Sequence, residues 1–358
     1  MYNRKNNNKT DIVFITNVPA FYKINLFNEL NKLINIKVFF ISDTSKIRNT
    51  DFSNKEMNFD YEFISKGNFE NRNKFFTLVR LYSKLKKINY NRVIYPGWEI
   101  KELFFLSFLT KKNKNALSIE SSILETKISG VKKLLKSIFL NRMSFAYPSG
   151  SLQKEILKEL HFRGTIFITH GVGLINEPIV KTPLINERNK KREYLRYLYI
   201  GRLSSEKNLE LLIQVFNELP NELFIVGTGP LEEYLKEMVL YNNIKLIGYI
   251  NNEKLSDIFN LSDVFILPSK IEPWGLVIEE AISNNLPIIA SDMVGCKDDL
   301  IQDNGLIFHH NSSDDLKSKI EEMNNNYSIY NKNSKIFNLD KMREKQIFSY
   351  VNSVRNEK

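Results

Sequence analysis

Scarcity defines much of this chain. Its 358 residues include one cysteine, Cys296, so no disulfide can form within it, and a reducing cytosolic compartment is expected. Long apolar runs are missing as well. The run DIVFIT after the basic start MYNRKNNNKT is too short for a signal peptide, and the longest apolar patch elsewhere, 103–109, is too short to span a bilayer. A cytoplasmic protein is expected, soluble or held peripherally on the inner face of the plasma membrane. Acid is the minority charge: 51 Lys and Arg against 41 Asp and Glu give a formal charge of +10, which favours an anionic partner such as nucleotide, nucleic acid or acidic lipid. Hydrophobic residues make up 42%, enough for a globular protein, and the length suits two domains of about 150 to 200 residues.

What is present is a regular alternation of short apolar runs and helical patterns. Asp11–Thr16 reads as a strand, FYKINLFNELNKL as a helix with Leu26, Phe27 and Leu30 inward, and 36–41 as a second strand. Further strands are expected at 92–95, 116–119, 147–150 and 166–169. A polar stretch with Pro178 and Pro183 then reads as a linker. The pattern restarts at Tyr197 and continues through strands at 223–226, 244–247, 264–267, 288–290 and 305–308. Strand, helix and strand in succession imply parallel sheets with right-handed crossovers. The expected division is an amino-terminal domain over 1–176, a linker over 177–194, a second domain over 195–337 and a terminal helix over 338–358.

Chemistry concentrates in 265–292, FILPSKIEPWGLVIEEAISNNLPIIASD. Glu272 precedes Pro273 and is pushed towards extended backbone. Gly275 permits a tight turn, and a helix bounded by Asn284, Asn285 and Pro287 follows it. The free amides at its start, those of Gly275, Leu276 and Val277, suit an anion. Upstream, Arg202 and Lys207 stand on either side of a Ser-rich turn that opens another helix. Two fixed cations at such a turn suit a diphosphate. The Gly227-Thr228-Gly229-Pro230 turn is not a dinucleotide fingerprint, because position 232 is Glu where a third glycine belongs.

Glu272 and Glu280, with seven residues between them, followed by an Ala and a Pro before the next strand, resemble the E-x7-E signature of family 4 retaining glycosyltransferases. GRL-x-x-EKN at 201–208 resembles that family's diphosphate loop, and 227–230 its GxGP turn. The resemblance implies a GT-B fold, two doubly wound Rossmann-like α/β domains with an interdomain cleft. It also implies a retaining transfer of a hexose-type sugar from a nucleotide-diphosphate sugar to a glycan or lipid-linked acceptor, in bacterial surface-polysaccharide synthesis. Arg202, Lys207 and the amides at Gly275 and Leu276 would hold the diphosphate, and Gly227, Gly229 and Ile250 would lie along the nucleotide. Glu280 would bind ribose, and Glu272 would face the sugar ring. No Asp-x-Asp occurs, in keeping with a metal-free site and no cofactor beyond the donor.

In the amino-terminal half, Asn17-Val18-Pro19-Ala20 and Tyr22 resemble the opening loop that approaches acceptor and donor. A histidine that many members carry beside the 116–119 strand is absent, so Glu120 or Ser121 would line that rim instead. Two segments, 72–92 and 131–142, are basic and free of acid. They read either as membrane-surface helices that contact anionic lipid or as helices with a core face and solvated lysines. A non-catalytic nucleotide-sugar-binding scaffold and a hydrolase or phosphorylase on the same architecture are the competing functions. A nucleic-acid binder would account for the charge but not for the alternating pattern.

Overall fold

The computed structural model describes residues 9–46, 55–176 and 193–355. Sixteen of the eighteen positions expected as linker, 177–192, lie outside the described residues, as do 1–8 and 356–358 at the termini. The chain divides into two compact units, Met1–Asn176 with Asp340–Lys358, and Glu177–Leu339.

The first unit is built on a seven-stranded sheet: β1 (Thr10–Thr16), β2 (Ile36–Phe40), β3 (Asp60–Phe63), β4 (Tyr90–Pro96), β5 (Asn115–Ile119), β6 (Phe145–Pro148) and β7 (Thr165–Ile166), in the spatial order β3-β2-β1-β4-β5-β6-β7. All neighbours pair in parallel. The central strands are apolar on both faces because helices cover both, and the pleat sorts their side chains. Ile12 and Phe14 point to one core with Val38, Phe40 and Ile94; Val13 and Ile15 point to the other with Phe39, Val93 and Tyr95. The expected strand at 147–150 is moved two residues earlier, because Gly150 is already the cap of the helix Ser151–Glu159. The expected strand at 166–169 is shortened at the sheet edge, where only β6 pairs with it.

The terminal helix Leu339–Arg355 completes this unit by burying Tyr350, Val351 and Val354 in the β1 core. Arg92, fully buried, holds it there: its guanidinium lies 3.5 Å from the Phe145 ring centroid, and Nη1 donates to the Tyr147 hydroxyl (2.8 Å) and to the Ser353 carbonyl (2.7 Å). Tyr147 donates in turn to Ser353 Oγ at 2.6 Å and stacks on Tyr350.

The second unit contains β8 (Arg196–Ile200), β9 (Glu222–Val226), β10 (Ile244–Gly248), β11 (Val264–Leu267), β12 (Ile288–Ser291) and β13 (Gly305–Phe308), in the order β10-β9-β8-β11-β12-β13 and parallel throughout. The strand order reverses between β8 and β11, which are direct neighbours through Val264 with Tyr197 and Phe265 with Leu198. In doubly wound sheets ligands bind outside the carboxyl ends of the strands at such a switch point. The loops that leave β8 and β11 are those that carry Arg202 and Lys207, and Glu272 and Gly275. No described helix is long and apolar enough to cross a membrane.

Candidate active site

After β8 the chain turns through Gly201 to a single helical turn, Ser205–Lys207, and then through Asn208 in the left-handed region (φ 58°) into the helix Leu209–Phe216. After β11 it runs through Ser269 to Glu272 and Pro273, and Gly275 (φ 101°) caps the helix Leu276–Ser283. The two loops are hydrogen-bonded to each other, since the Glu206 carbonyl accepts from the amides of Lys270 (2.8 Å) and Ile271 (3.3 Å). That seam brings Lys207 to Glu272, with Nζ 2.6 Å from Oε2 and side chains only 17% and 14% exposed. Ser269 Oγ lies 3.4 Å from the same carboxylate oxygen.

Arg202 is exposed on this rim. Burial works to raise the neighbouring Glu206 carboxyl, but a hydrogen bond from Ser204 (2.6 Å), a backbone hydrogen bond and the charges of Lys207 and then Arg202 outweigh it and leave that carboxyl below its ordinary range. Tyr199 lies beneath, its hydroxyl donating to the Arg202 carbonyl at 3.0 Å. Burial first, and then the charges of Glu272 and Glu206, raise its phenol well above the usual value. The β8–β11 switch point therefore collects two cations and two acids around one helix start.

The Glu272 loop is itself braced. The Glu272 carbonyl accepts from the Gly295 amide (2.8 Å) and the Trp274 carbonyl from the Cys296 amide (3.0 Å). Buried Trp274 donates through Nε1 to Glu279 Oε1 at 2.6 Å. Cys296 is fully buried, and burial raises its thiol far above the reactive range, so it is packing. Glu280, on the second turn of the same helix, is part-exposed at its surface, yet burial pushes its carboxyl up to about 7.

Gly227 and Gly229 are explained by their neighbours. A Cβ on Gly227 (φ 136°) would fall 1.9 Å from the Gly201 carbonyl oxygen, and one on Gly229 would fall 2.3 Å from that of Leu203. The GxGP turn is glycine-rich because it lies directly on the loop that carries Arg202. Leu276 and Ile250 are both half-buried, the first opening the Glu280 helix and the second two residues beyond β10.

In the first unit, Asn17 follows β1, and its side-chain Oδ1 is buried with no hydrogen-bond partner among the described residues. Glu120, after β5, is paired with Lys23 at 2.5 Å, and Ser121 beside it is half-buried. Tyr22, expected on the rim, is buried instead: a Cβ on Gly173 would meet its ring at 2.4 Å, and its carbonyl accepts from Leu174. The basic segments form the helices Lys74–Lys86 and Gly130–Leu140, whose outer faces are apolar as well as basic. Phe75, Phe76 and Val79 are exposed on one, and Val131, Leu134 and Leu135 on the other. Several of the cations have acidic or aromatic partners from other elements: Arg72 with Glu102, Lys84 with Glu62, Lys133 with Glu159, and Lys136 over Trp98.

Sequence reasoning passed over Glu206, Ser269 and the Trp274–Glu279 pair. Glu206 was visible as the acid within EKN. Its structural role depends on a contact with residues more than sixty positions away, which no local pattern encodes.

Residues 180–338 match the family model of the glycosyl transferases group 1. The chain is 31% identical over 131 residues to sulfoquinovosyl transferase SQD2 of Arabidopsis thaliana, covering 35% of this chain and 26% of that protein. It is 33% identical over 165 residues to the O-antigen biosynthesis glycosyltransferase WbnH of Escherichia coli, covering 44% and 47%. Aligned stretches thus span from about a quarter (26%) to just over half (56%) of the length of the first curated relatives. Among solved structures, Anabaena Alr3699/HepE in complex with UDP and glucose superposes with a TM-score of 0.71 at 13% identity, covering 97% of this chain and 99% of that one. The fold of two Rossmann-like units with parallel sheets is that of the GT-B glycosyltransferases.

Proposed function

We propose that this chain, whose second unit matches the group 1 model, is a retaining, metal-independent glycosyltransferase of family 4 that moves a hexose-type sugar from a nucleotide-diphosphate sugar to a glycan or lipid-linked acceptor. The observation that carries the reading is the Lys207–Glu272 pair, 2.6 Å apart at the strand-order reversal, beside Arg202 and in front of a glycine-capped helix. In this reading the diphosphate takes Lys207 away from Glu272. Lys207, Arg202 and the first amides of the Leu276–Ser283 helix then meet the charge that develops on the departing phosphate. Glu272, released from its cation, faces the sugar ring, and Glu280 accepts from ribose hydroxyls. The departing phosphate takes the acceptor proton on the same face, which preserves the anomeric configuration. Relatives whose names carry O-antigen synthesis support a surface-polysaccharide acceptor.

The acceptor side is assigned to the first unit, with Asn17, Glu120 and Ser121 at the carboxyl ends of its strands. Its apolar and basic outer helices are assigned to the inner membrane surface, where each well-placed cation adds about 1 kcal/mol of attraction to anionic lipid. Release of nucleoside diphosphate only when donor and acceptor are both present, without added Mg2+ or Mn2+, tests the transfer. Release without acceptor would make the protein a hydrolase, and tight donor binding with no turnover a scaffold. The anomeric configuration of the product, read by NMR, tests retention. Co-sedimentation with anionic vesicles that does not depend on lipid charge or salt would remove the membrane assignment.

A further inference from the structure

Two of the chain's four histidines are adjacent, at 309 and 310, and none of the chemistry above uses them. They leave β13, next to β12, which ends one residue before Asp292. The adjacency of the two strands brings the three side chains together. His310 Nδ1 lies 2.8 Å from Asp292 Oδ1 and His309 Nε2 lies 3.9 Å from Asp292 Oδ2, and one ligand atom from each residue falls within 4.8 Å of the others. The two imidazoles stack with centroids 5.0 Å apart.

The surrounding backbone holds this arrangement. The His310 amide donates to Asp292 Oδ1 (3.0 Å), the His309 amide to Asp315 Oδ2 (2.7 Å), and the Asn208 side chain to the His310 carbonyl (2.9 Å). Three anchors therefore fix two consecutive residues whose side chains both turn towards one carboxylate. A simple hydrogen bond between Asp292 and His310 needs no second imidazole.

We propose that Asp292, His309 and His310 form a binding site for one divalent transition-metal ion of the zinc class, separate from the sugar-transfer chemistry. Two imidazole nitrogens and one carboxylate oxygen suit zinc, nickel or copper, whereas magnesium and calcium prefer all-oxygen sets. Bonds of about 2.0–2.1 Å in a tetrahedral site put ligand atoms about 3.3 Å apart. His310 Nδ1 already lies 2.8 Å from Asp292 Oδ1 and His309 Nε2 lies 3.9 Å from the other carboxylate oxygen, and with one ligand atom of each residue within 4.8 Å of the others, side-chain rotations bring the set together. The fourth position stays open to water or to an outside ligand. His309 would give up the 3.4 Å contact by which its Nδ1 accepts from the Asn311 amide, a weak bond at that length. The metal would tie the end of β12 to the end of β13. The segment after β12 carries Val294 and Gly295, which bridge Glu272, and His310 is bonded to Asn208 next to Lys207. The ion would thus clamp both loops of the proposed donor site from outside.

The test is titration of the full chain with zinc against a chromophoric chelator, beside a thermal-unfolding series with zinc and with magnesium. The expected result is one zinc per chain, a higher unfolding temperature with zinc and none with magnesium. Affinity should fall at least about tenfold in both His309→Ala and Asp292→Asn, and stay unchanged in His161→Ala. His309 is 59% exposed, so its variant folds, and it keeps the Asp292–His310 hydrogen bond while losing one ligand. No binding by the wild type, or equal binding by the His309 variant, overturns the proposal. Because the readout is metal binding, it stands or falls independently of whether sugar transfer is observed.

Discussion

Glu280→Gln separates the cost of Glu280 in the ligand-free protein from its use in binding. Burial lifts this carboxyl from 4.5 to about 7, and among the described residues no cation or hydrogen-bond donor offsets the rise. Below pH 4.5 the acid is protonated in both the folded and the unfolded chain and affects stability little. Between 4.5 and 7 the unfolded chain ionises first, so stability falls as pH rises. Above 7 both states are ionised and the full penalty remains. At about 1.36 kcal/mol for each pH unit, the rise amounts to about 3 kcal/mol. Glutamine has nearly the same shape and no charge, so the variant should be more stable than the wild type by about 3 kcal/mol at pH 8 and nearly equal to it at pH 4. Urea unfolding read by Trp274 fluorescence, in a Trp98→Phe background so that the signal reports the second unit alone, measures this difference at both pH values. Effects of other titrating groups cancel in the subtraction. A difference that stays constant with pH, or a variant less stable at pH 8, would refute the account. The same variant should bind nucleotide-sugar more weakly, since a carboxylate is a stronger acceptor for ribose hydroxyls than an amide carbonyl.

Other outcomes follow from contacts described above. Arg202→Ala or Lys207→Ala should each lower turnover by about 10²- to 10³-fold in a donor-saturated assay, as loss of one preorganised transition-state donor does; wild-type turnover in either would count against the site. Gly227→Ala should cost about 3 kcal/mol or more, because the new methyl meets the Gly201 carbonyl at 1.9 Å in a left-handed backbone. Gly248→Ala, also at positive φ but with open space around it, should cost only about 1 kcal/mol, and equal losses in denaturant would show that strain alone decides. Arg92→Met should destabilise the first unit by about 2–4 kcal/mol, since the Ser353 carbonyl loses its buried donor; unchanged unfolding of that unit would mean that the apolar contacts of the terminal helix suffice.

The site was legible where sequence and backbone constraint coincide. Val264–Leu267 and Gly305–Phe308 are strands at their expected bounds because short apolar runs between turn residues admit little else. The Leu276–Ser283 helix ends where Asn284, Asn285 and Pro287 are expected to bound it, with Asn285 left-handed at φ 60°, and Gly275 takes the tight turn at φ 101°. Other parts were hidden for physical reasons. Asp60–Phe63 is a sheet-edge strand with polar exposed residues and no apolar run. Ser313–Ile336 is a helix rich in Asn that buries only a few side chains, so its periodicity is faint. Tyr22 reads as a rim residue because it follows a strand end, but the close approach of Gly173 turns it inward. The meeting of Lys207 with Glu272 follows from the β8–β11 adjacency, and strand order is a property of the whole sheet that no window of sequence contains.

The terminal helix belongs to the unit formed by residues at the opposite end of the chain. During synthesis the amino-terminal sheet emerges first, yet one face of its core waits for Tyr350, Val351 and Val354, which are translated only after the whole of the second unit. The intervening unit is contiguous in sequence and can mature while its host is still open, a reversal of the usual order in which domains finish folding during synthesis. A premature stop shortly after Leu339 would therefore spare the later-made unit and leave the earlier-made one unfinished.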